Sequence, residues 1–176
     1  MAAAEFLDQV LVPGLTRFAK VVGPRVPVVR GVRILMLAIP GIESDWQNIR
    51  QGGGGPGMGY YQDESETCSE VLANPASSIA MHLCCADAKI PPNGRAVYGS
   101  LLGDPFLQVA LARLDIWCDP YPLPPYGDEG AAWRQYASIW RPGKPRPRAW
   151  PAVYAAALAA DKAYEATGET MSDPKK

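Results

Sequence analysis

Apolar residues in this chain recur with helical spacing, and prolines and glycines cut the pattern into short pieces. Ala3 to Val12 places Phe6, Leu7, Val10 and Leu11 on one side, which predicts a short helix closed by Pro13 and Gly14. Leu15 to Val22 adds another turn or two before Pro24 and Pro27 stop it. From Val28 through Ile39 the apolar content is nearly all-round, the pattern of a helix buried on every side. Pro40 withholds the amide that would pair with the carbonyl of Met36, so a kink or fresh turn is expected there. Gly41 to Trp46 then make the last turns.

Further on, Glu66 to Leu72 and Pro75 to Cys85 read as two helical pieces, and Lys89 to Tyr98 as a loop. Asp104 is a suitable N-cap and Pro105 a suitable first residue for a helix reaching Trp117. Its apolar surface comes from Phe106, Val109, Ala110, Ala112, Leu114 and Ile116, and its polar side from Gln108, Arg113 and Asp115. Asp119 to Gly127 holds four prolines and is extended. A helix starting at Asp128 or its neighbour carries Trp133, Tyr136, Ala137 and Trp140, and a last one runs from Trp150 to near Gly168. No stretch alternates with period two for long enough to make a strand. The expected fold class is therefore mainly α, with about six to eight helices separated by Gly/Pro-rich loops. At 176 residues the chain suits one domain, with its core at 28–166 and a flexible tail at 169–176.

Composition adds little. Net charge is -1, so no global bias favours nucleic acid or a membrane surface. No uninterrupted apolar run is long enough to span a bilayer, and the N-terminus lacks the basic start of a secretory signal. The four cysteines (Cys68, Cys84, Cys85 and Cys118) have no Cys-x-x-Cys spacing, and His82 is the single histidine, which argues against a metal site. They read as buried thiols, with a disulfide from Cys68 to a later cysteine as the alternative. Arg141, Lys144, Arg146 and Arg148 form a positive patch spaced by prolines. It suits a solvated loop, attraction to an anionic polymer, or docking on an acidic partner.

The most specific stretch is Leu35 to Glu64. Its apolar run ends in Glu43, and Gln51 to Gly59 contains six glycines. Such density predicts close backbone approach or positive φ, with a plain flexible connection as the alternative. Glu43 reads equally well as a solvated helix-end residue or as a carboxyl whose pKa is raised by apolar neighbours. Tyr60 and Tyr61 suit either a sugar-stacking face or a core. Neither a Ser-His-Asp arrangement nor a P-loop is present, since no Lys-Ser or Lys-Thr follows the glycines.

The string AIPGIESDWQN, followed by Gly57-Met58-Gly59-Tyr60-Tyr61-Gln62, resembles the catalytic signature of the lysozyme-like superfamily in its soluble lytic transglycosylase and goose-type lysozyme branch. The resemblance spans residues 30 to 155. DPFLQVALARLDIWCDPYPLP and WRQYASIWRPGKP are similar to stretches of small lysozyme-like proteins of tailed bacteriophages. It implies a lysozyme-like domain without a cofactor that cleaves the β-1,4 bond between N-acetylmuramic acid and N-acetylglucosamine. Glu43 would be the catalytic acid, made as lysozyme makes its own by apolar surroundings. Ser44, Gly59, Tyr60, Tyr61, Gln62 and Tyr136 would bind the glycan, and Asp63 or Glu64 would be a second carboxylate. The partners it implies are a peptidoglycan strand and phage structural proteins, with the protein acting in the virion or at the host wall and periplasm after delivery. Two departures stand out. Pro40 interrupts the catalytic helix, and Ala137 occupies the place of asparagine in the family's Ala-x-x-x-Tyr-Asn motif, otherwise matched by Ala132 and Tyr136. A structural protein of a phage tail or baseplate on the same scaffold, with little activity, is thus the alternative, and a bare sugar-binding module a third.

Overall fold

In the computed structural model, which describes residues 1–168, α1 (Ala3–Phe6) and α2 (Val12–Val22) are joined by a π-turn at Leu7–Leu11. The expected tail at 169–176 lies outside the described residues. Pro13 does not end the first helix as its position suggests. The π-turn places it in the first turn of α2, where a missing amide costs least. Seven more helices follow: α3 (Arg30–Glu43), α4 (Ser65–Ala73), α5 (Ser78–Asp87), α6 (Gly94–Ser100), α7 (Pro105–Cys118), α8 (Glu129–Trp140) and α9 (Trp150–Ala166). With α1 and α2 counted as one rod, the described residues form eight helices and are mainly helical. Among them the β-type pairing consists of two isolated bridges, Arg50 with Met58 and Met58 with Asp63.

Side-chain caps fix three of the starts, those of α6, α7 and α8. Asp104 accepts from the amides of Phe106 (2.9 Å) and Leu107 (3.3 Å), and Asp128 accepts from Ala131 (2.8 Å). Helix α6 falls where a loop was expected, because Asn93, read as part of a turn, is instead an N-cap bonded to the Ala96 amide at 2.9 Å.

Helix α7 sits between two apolar clusters. Val109, Ala112 and Ile116 face α1, α3, α8 and α9, while Leu107, Ala110, Leu111 and Leu114 face α4, α5 and α6. Gly14 permits the close approach of α2, since a Cβ there would lie 2.8 Å from the Val109 side chain. The expected polar side of α7 consequently meets protein. Gln108 and Arg113 are buried. Gln108 donates to the Leu101 carbonyl and accepts from the Tyr60 amide at 2.7 Å. Arg113 donates to the Pro27 carbonyl at 2.6 Å, and burial lowers its pKa to about 10. The core also begins earlier than residue 28, because Phe6, Leu11, Leu15 and Phe18 are fully buried.

Helix α9 is pinned to α3 by charge. Arg33 and Arg30 donate to Asp161 at 2.6 and 2.9 Å, Tyr126 donates to the same carboxylate at 3.2 Å, and Arg33 also pairs with Glu165. The four cysteines are free. Burial pushes the Cys68 and Cys84 thiols up to about 12, so they pack as inert apolar groups. No helix among the described residues is long and apolar enough to cross a membrane.

Candidate active site

Glu43 is the last residue of α3, a helix buried from Val32 to Ile42. Helix α3 continues through Pro40, and its neighbours show how. The Met36 carbonyl, which lacks a helical donor because Pro40 has no N–H, accepts instead from the Tyr61 hydroxyl at 2.9 Å. Trp46 turns back over the helix through left-handed backbone at Asp45 (φ 55°) and Trp46 (φ 54°), and its indole donates to the Leu37 carbonyl at 2.9 Å. Gly41 makes room for that ring, since a Cβ there would lie 2.4 Å from it. Ser44 closes the helix by donating its hydroxyl to the Pro40 carbonyl at 2.9 Å.

A double-mutant cycle tests this pairing. Tyr61→Phe leaves the Met36 carbonyl buried without a donor and should cost about 1–3 kcal/mol in denaturant unfolding. In a Pro40→Ala background, where residue 40 regains its amide, the same change should cost much less. Equal losses in both backgrounds would separate Tyr61 from Pro40.

The segment after the glycine loop is held from three sides. Gly59 adopts φ +73° over Gln108, where a Cβ would lie 2.6 Å from the side chain, and the Tyr60 amide rests on that same glutamine. Gln62 donates to the carbonyls of Gly59 (2.7 Å) and Asn48 (3.0 Å). From α8, the Trp140 indole donates to the Tyr61 carbonyl at 3.0 Å. The loop is thus purposeful at its end, with positive φ at Gly53, Gly54 and Gly59.

Several residues expected to bind glycan do something else. Ser44 and Tyr61 are buried with hydroxyls occupied by carbonyls of α3, so they shape the helix from behind. Tyr136, 2% exposed, stacks on Trp150 at 5.1 Å and donates its hydroxyl to the Glu43 Oε1 atom at 2.5 Å. It orients the carboxyl and has no free face for a sugar. Tyr60 is half-buried edge-on to Phe6. Gly59 is buried, and Gln62, half-buried, lines a cavity of about 310 Å³ together with Asp63, Glu64 and Trp140. Glu43 is outside the lining of that cavity.

Electrostatics single out three carboxyls. Glu43 is half-buried, and desolvation raises its pKa against the opposing effects of the Tyr136 hydrogen bond and the charge of Arg146. Asp63 is 3% exposed, its Oδ2 atom has no hydrogen-bond partner, and burial holds its carboxyl well above the ordinary range, helped by the charges of Asp115 and Glu43. Glu64, at the N-cap of α4, is exposed. Among the described residues, no group of three His, Cys, Asp or Glu side chains is placed to hold a metal ion.

No protein-family model matches this chain, and no curated protein or solved structure is significantly similar to it. Function has to be read from its own side chains. Sequence reasoning missed the roles of Gln108, Trp140 and Asp115. Arg146 was visible only as part of a basic patch, with nothing to tie it to Glu43. A buried glutamine on a helix read as amphipathic carries no local signal.

The third carboxyl, Asp115, is raised from 3.8 to about 7 by desolvation first, then by the charge of Glu70. The folded state therefore keeps this proton where the unfolded chain has lost it, so stability falls as pH rises from 3.8 to about 7. Asp115→Asn should stabilise the protein by about 1–2 kcal/mol at pH 8, a value discounted for partial exposure, and by much less near pH 4. Urea unfolding at the two pH values checks the sign.

Proposed function

We propose that this protein is a peptidoglycan-cleaving enzyme of the lysozyme-like kind, acting by lytic transglycosylation with Glu43 as proton donor. The observation that carries the reading is the Glu43 carboxyl itself. It stands half-buried at the end of a buried helix, is raised by desolvation, and is held by the Tyr136 hydroxyl. A raised carboxyl pKa is the direction a general acid needs. Protonated Glu43 gives its proton to the bridging oxygen as the bond from that oxygen to C1 breaks. Ionised Glu43 then accepts the proton of the muramoyl 6-hydroxyl as its oxygen bonds to C1, leaving a 1,6-anhydro end and restoring the acid.

Transglycosylation is preferred over hydrolysis because of Asp63. An inverting hydrolase needs an ionised partner carboxylate to activate water. Asp63 is a carboxyl on which the charge of Glu43 acts, and burial disfavours its ionised form. The sequence resemblance to phage proteins makes delivery with a virion, to the host cell wall, the fitting context.

A second reading is a structural protein on this scaffold. It is favoured by the cavity that Glu43 does not line and by the burial of Ser44, Tyr61 and Tyr136. Mass analysis of the products from insoluble peptidoglycan separates the two. Anhydro-muropeptides are the expected products; reducing ends would replace transglycosylation by hydrolysis, and no release would favour the scaffold.

A further inference from the structure

The basic segment between α8 and α9 is tied to the Glu43 site at both ends. Trp140, just before it, and Trp150, just after it, both stack on the Tyr136 ring, at 6.4 and 5.1 Å, and the Tyr136 hydroxyl holds Glu43. Arg141 leaves α8 through left-handed backbone (φ 43°), and Pro142, Pro145 and Pro147 restrict the path that follows. The Ala149 amide donates to the Arg146 carbonyl at 3.0 Å, a turn that keeps the Arg146 Cα within about 7 Å of that of Ala149, the N-cap of α9. From there the charge of Arg146 reaches both the Glu43 carboxyl and the Tyr136 hydroxyl. Arg141, Lys144, Arg146 and Arg148 are all exposed. Among the described residues none of the four makes an ion pair; those pairs belong to Arg17, Arg30 and Arg33. Beside a half-buried acid stands a positive loop that no carboxylate neutralises, and its restricted backbone has little freedom to lose when a ligand binds.

We infer that Lys144, Arg146 and Arg148 form a subsite for the carboxylates of the peptide borne by the muramic acid unit next to the scissile bond. The inference rests on the peptidoglycan reading and adds the anionic peptide to its substrate. With Glu43 as proton donor the scissile bond lies within reach of the charge of Arg146, and the anions nearest that bond on the strand are the peptide carboxylates. A nucleic acid would need a wider basic footprint than one loop of a chain whose net charge is -1. Pairing also helps the chemistry. Arg146 by itself favours the ionised form of Glu43. A carboxylate seated on Arg146 offsets that charge, so the acid keeps its proton as substrate arrives.

Calorimetric titration provides the test. The probes are an N-acetylglucosaminyl-N-acetylmuramoyl peptide, which lacks the bond to be cut, and the same compound with its peptide carboxylates amidated. The free carboxylates should bind about tenfold more tightly at low ionic strength, since exposed pairs are individually weak but three act together. Salt at about 0.5 M should remove most of that difference. Lys144→Gln/Arg146→Gln/Arg148→Gln should abolish the preference. Lys20→Gln/Arg25→Gln/Arg95→Gln, an equal loss of charge at exposed positions elsewhere, should keep it. In a carbon-13 titration of Glu43, whose other coupled groups are Tyr136 and Asp63, Arg146→Gln should raise the midpoint. Equal affinity for the two probes, binding of neither, equal losses in the two triple variants, an unmoved Glu43 midpoint, or tighter binding of poly(glycerol phosphate) overturns the inference. Anhydro-muropeptide release by the wild type is scored separately: release with no carboxylate preference sinks the subsite alone, and carboxylate preference without release sinks the cleavage reading alone.

Discussion

Glu43→Gln should lower the rate of muropeptide release by at least about 100-fold, the usual lower range for losing a general acid. The amide keeps the size and shape of the side chain and still accepts from Tyr136, so the fold should survive. What disappears is the transferable proton. Unfolding curves that overlay those of the wild type, together with lost release, assign the effect to chemistry. Retained activity would place the proton donor elsewhere, and Asp63 would be the next side chain to replace.

The second large effect is on stability. Asp161 is fully buried and receives Arg33, Arg30 and the Tyr126 hydroxyl. Asp161→Ala leaves Arg33, its side chain 5% exposed, with Glu165 as its ion-pair partner and the Tyr164 ring beneath it. Removing one side of a buried ion pair costs about 3 kcal/mol at the low end, and Glu165 keeps the expected loss there. In a chain of this size that corresponds to a fall in Tm of roughly 6–12 °C. Because α9 also carries Trp150, the ring stacked on Tyr136, the variant should loosen the wall that aims Glu43. A loss below about 1 kcal/mol would place the pair among exposed salt bridges, which contribute little.

Much of the helical pattern was legible in the sequence, because spacing and caps are local. The capping aspartates Asp104 and Asp128 and the all-round apolar run before Glu43 mark elements the structure contains. Pro13 misled, since a π-turn is a local insertion with no residue signature of its own. Asn93-Gly94 misled because the same two residues suit a turn or a helix start. Within the candidate site, Glu43 was visible as an acid at the end of an apolar helix. The partnership of Pro40 with Tyr61 was only half visible: the missing amide could be read, but the hydroxyl that replaces it comes from a segment 25 residues away in sequence. Tyr136 was picked out for a sugar face and turned out to hold Glu43, a role that depends on the packing of α8 against α3 and α9. The burial of Gln108 and the crowding around Asp115 depend on which helices flank α7, which periodicity within one helix does not encode.

Whether Glu43 is a proton donor is tested most directly by titrating its side-chain carboxyl with carbon-13 NMR, the signal being identified by its absence in Glu43→Gln. Its midpoint should lie above the 4.5 of an ordinary glutamate, as desolvation at the end of α3 requires. A midpoint at or below that value would contradict the desolvation at the end of α3 and remove the ground for naming Glu43 the proton donor.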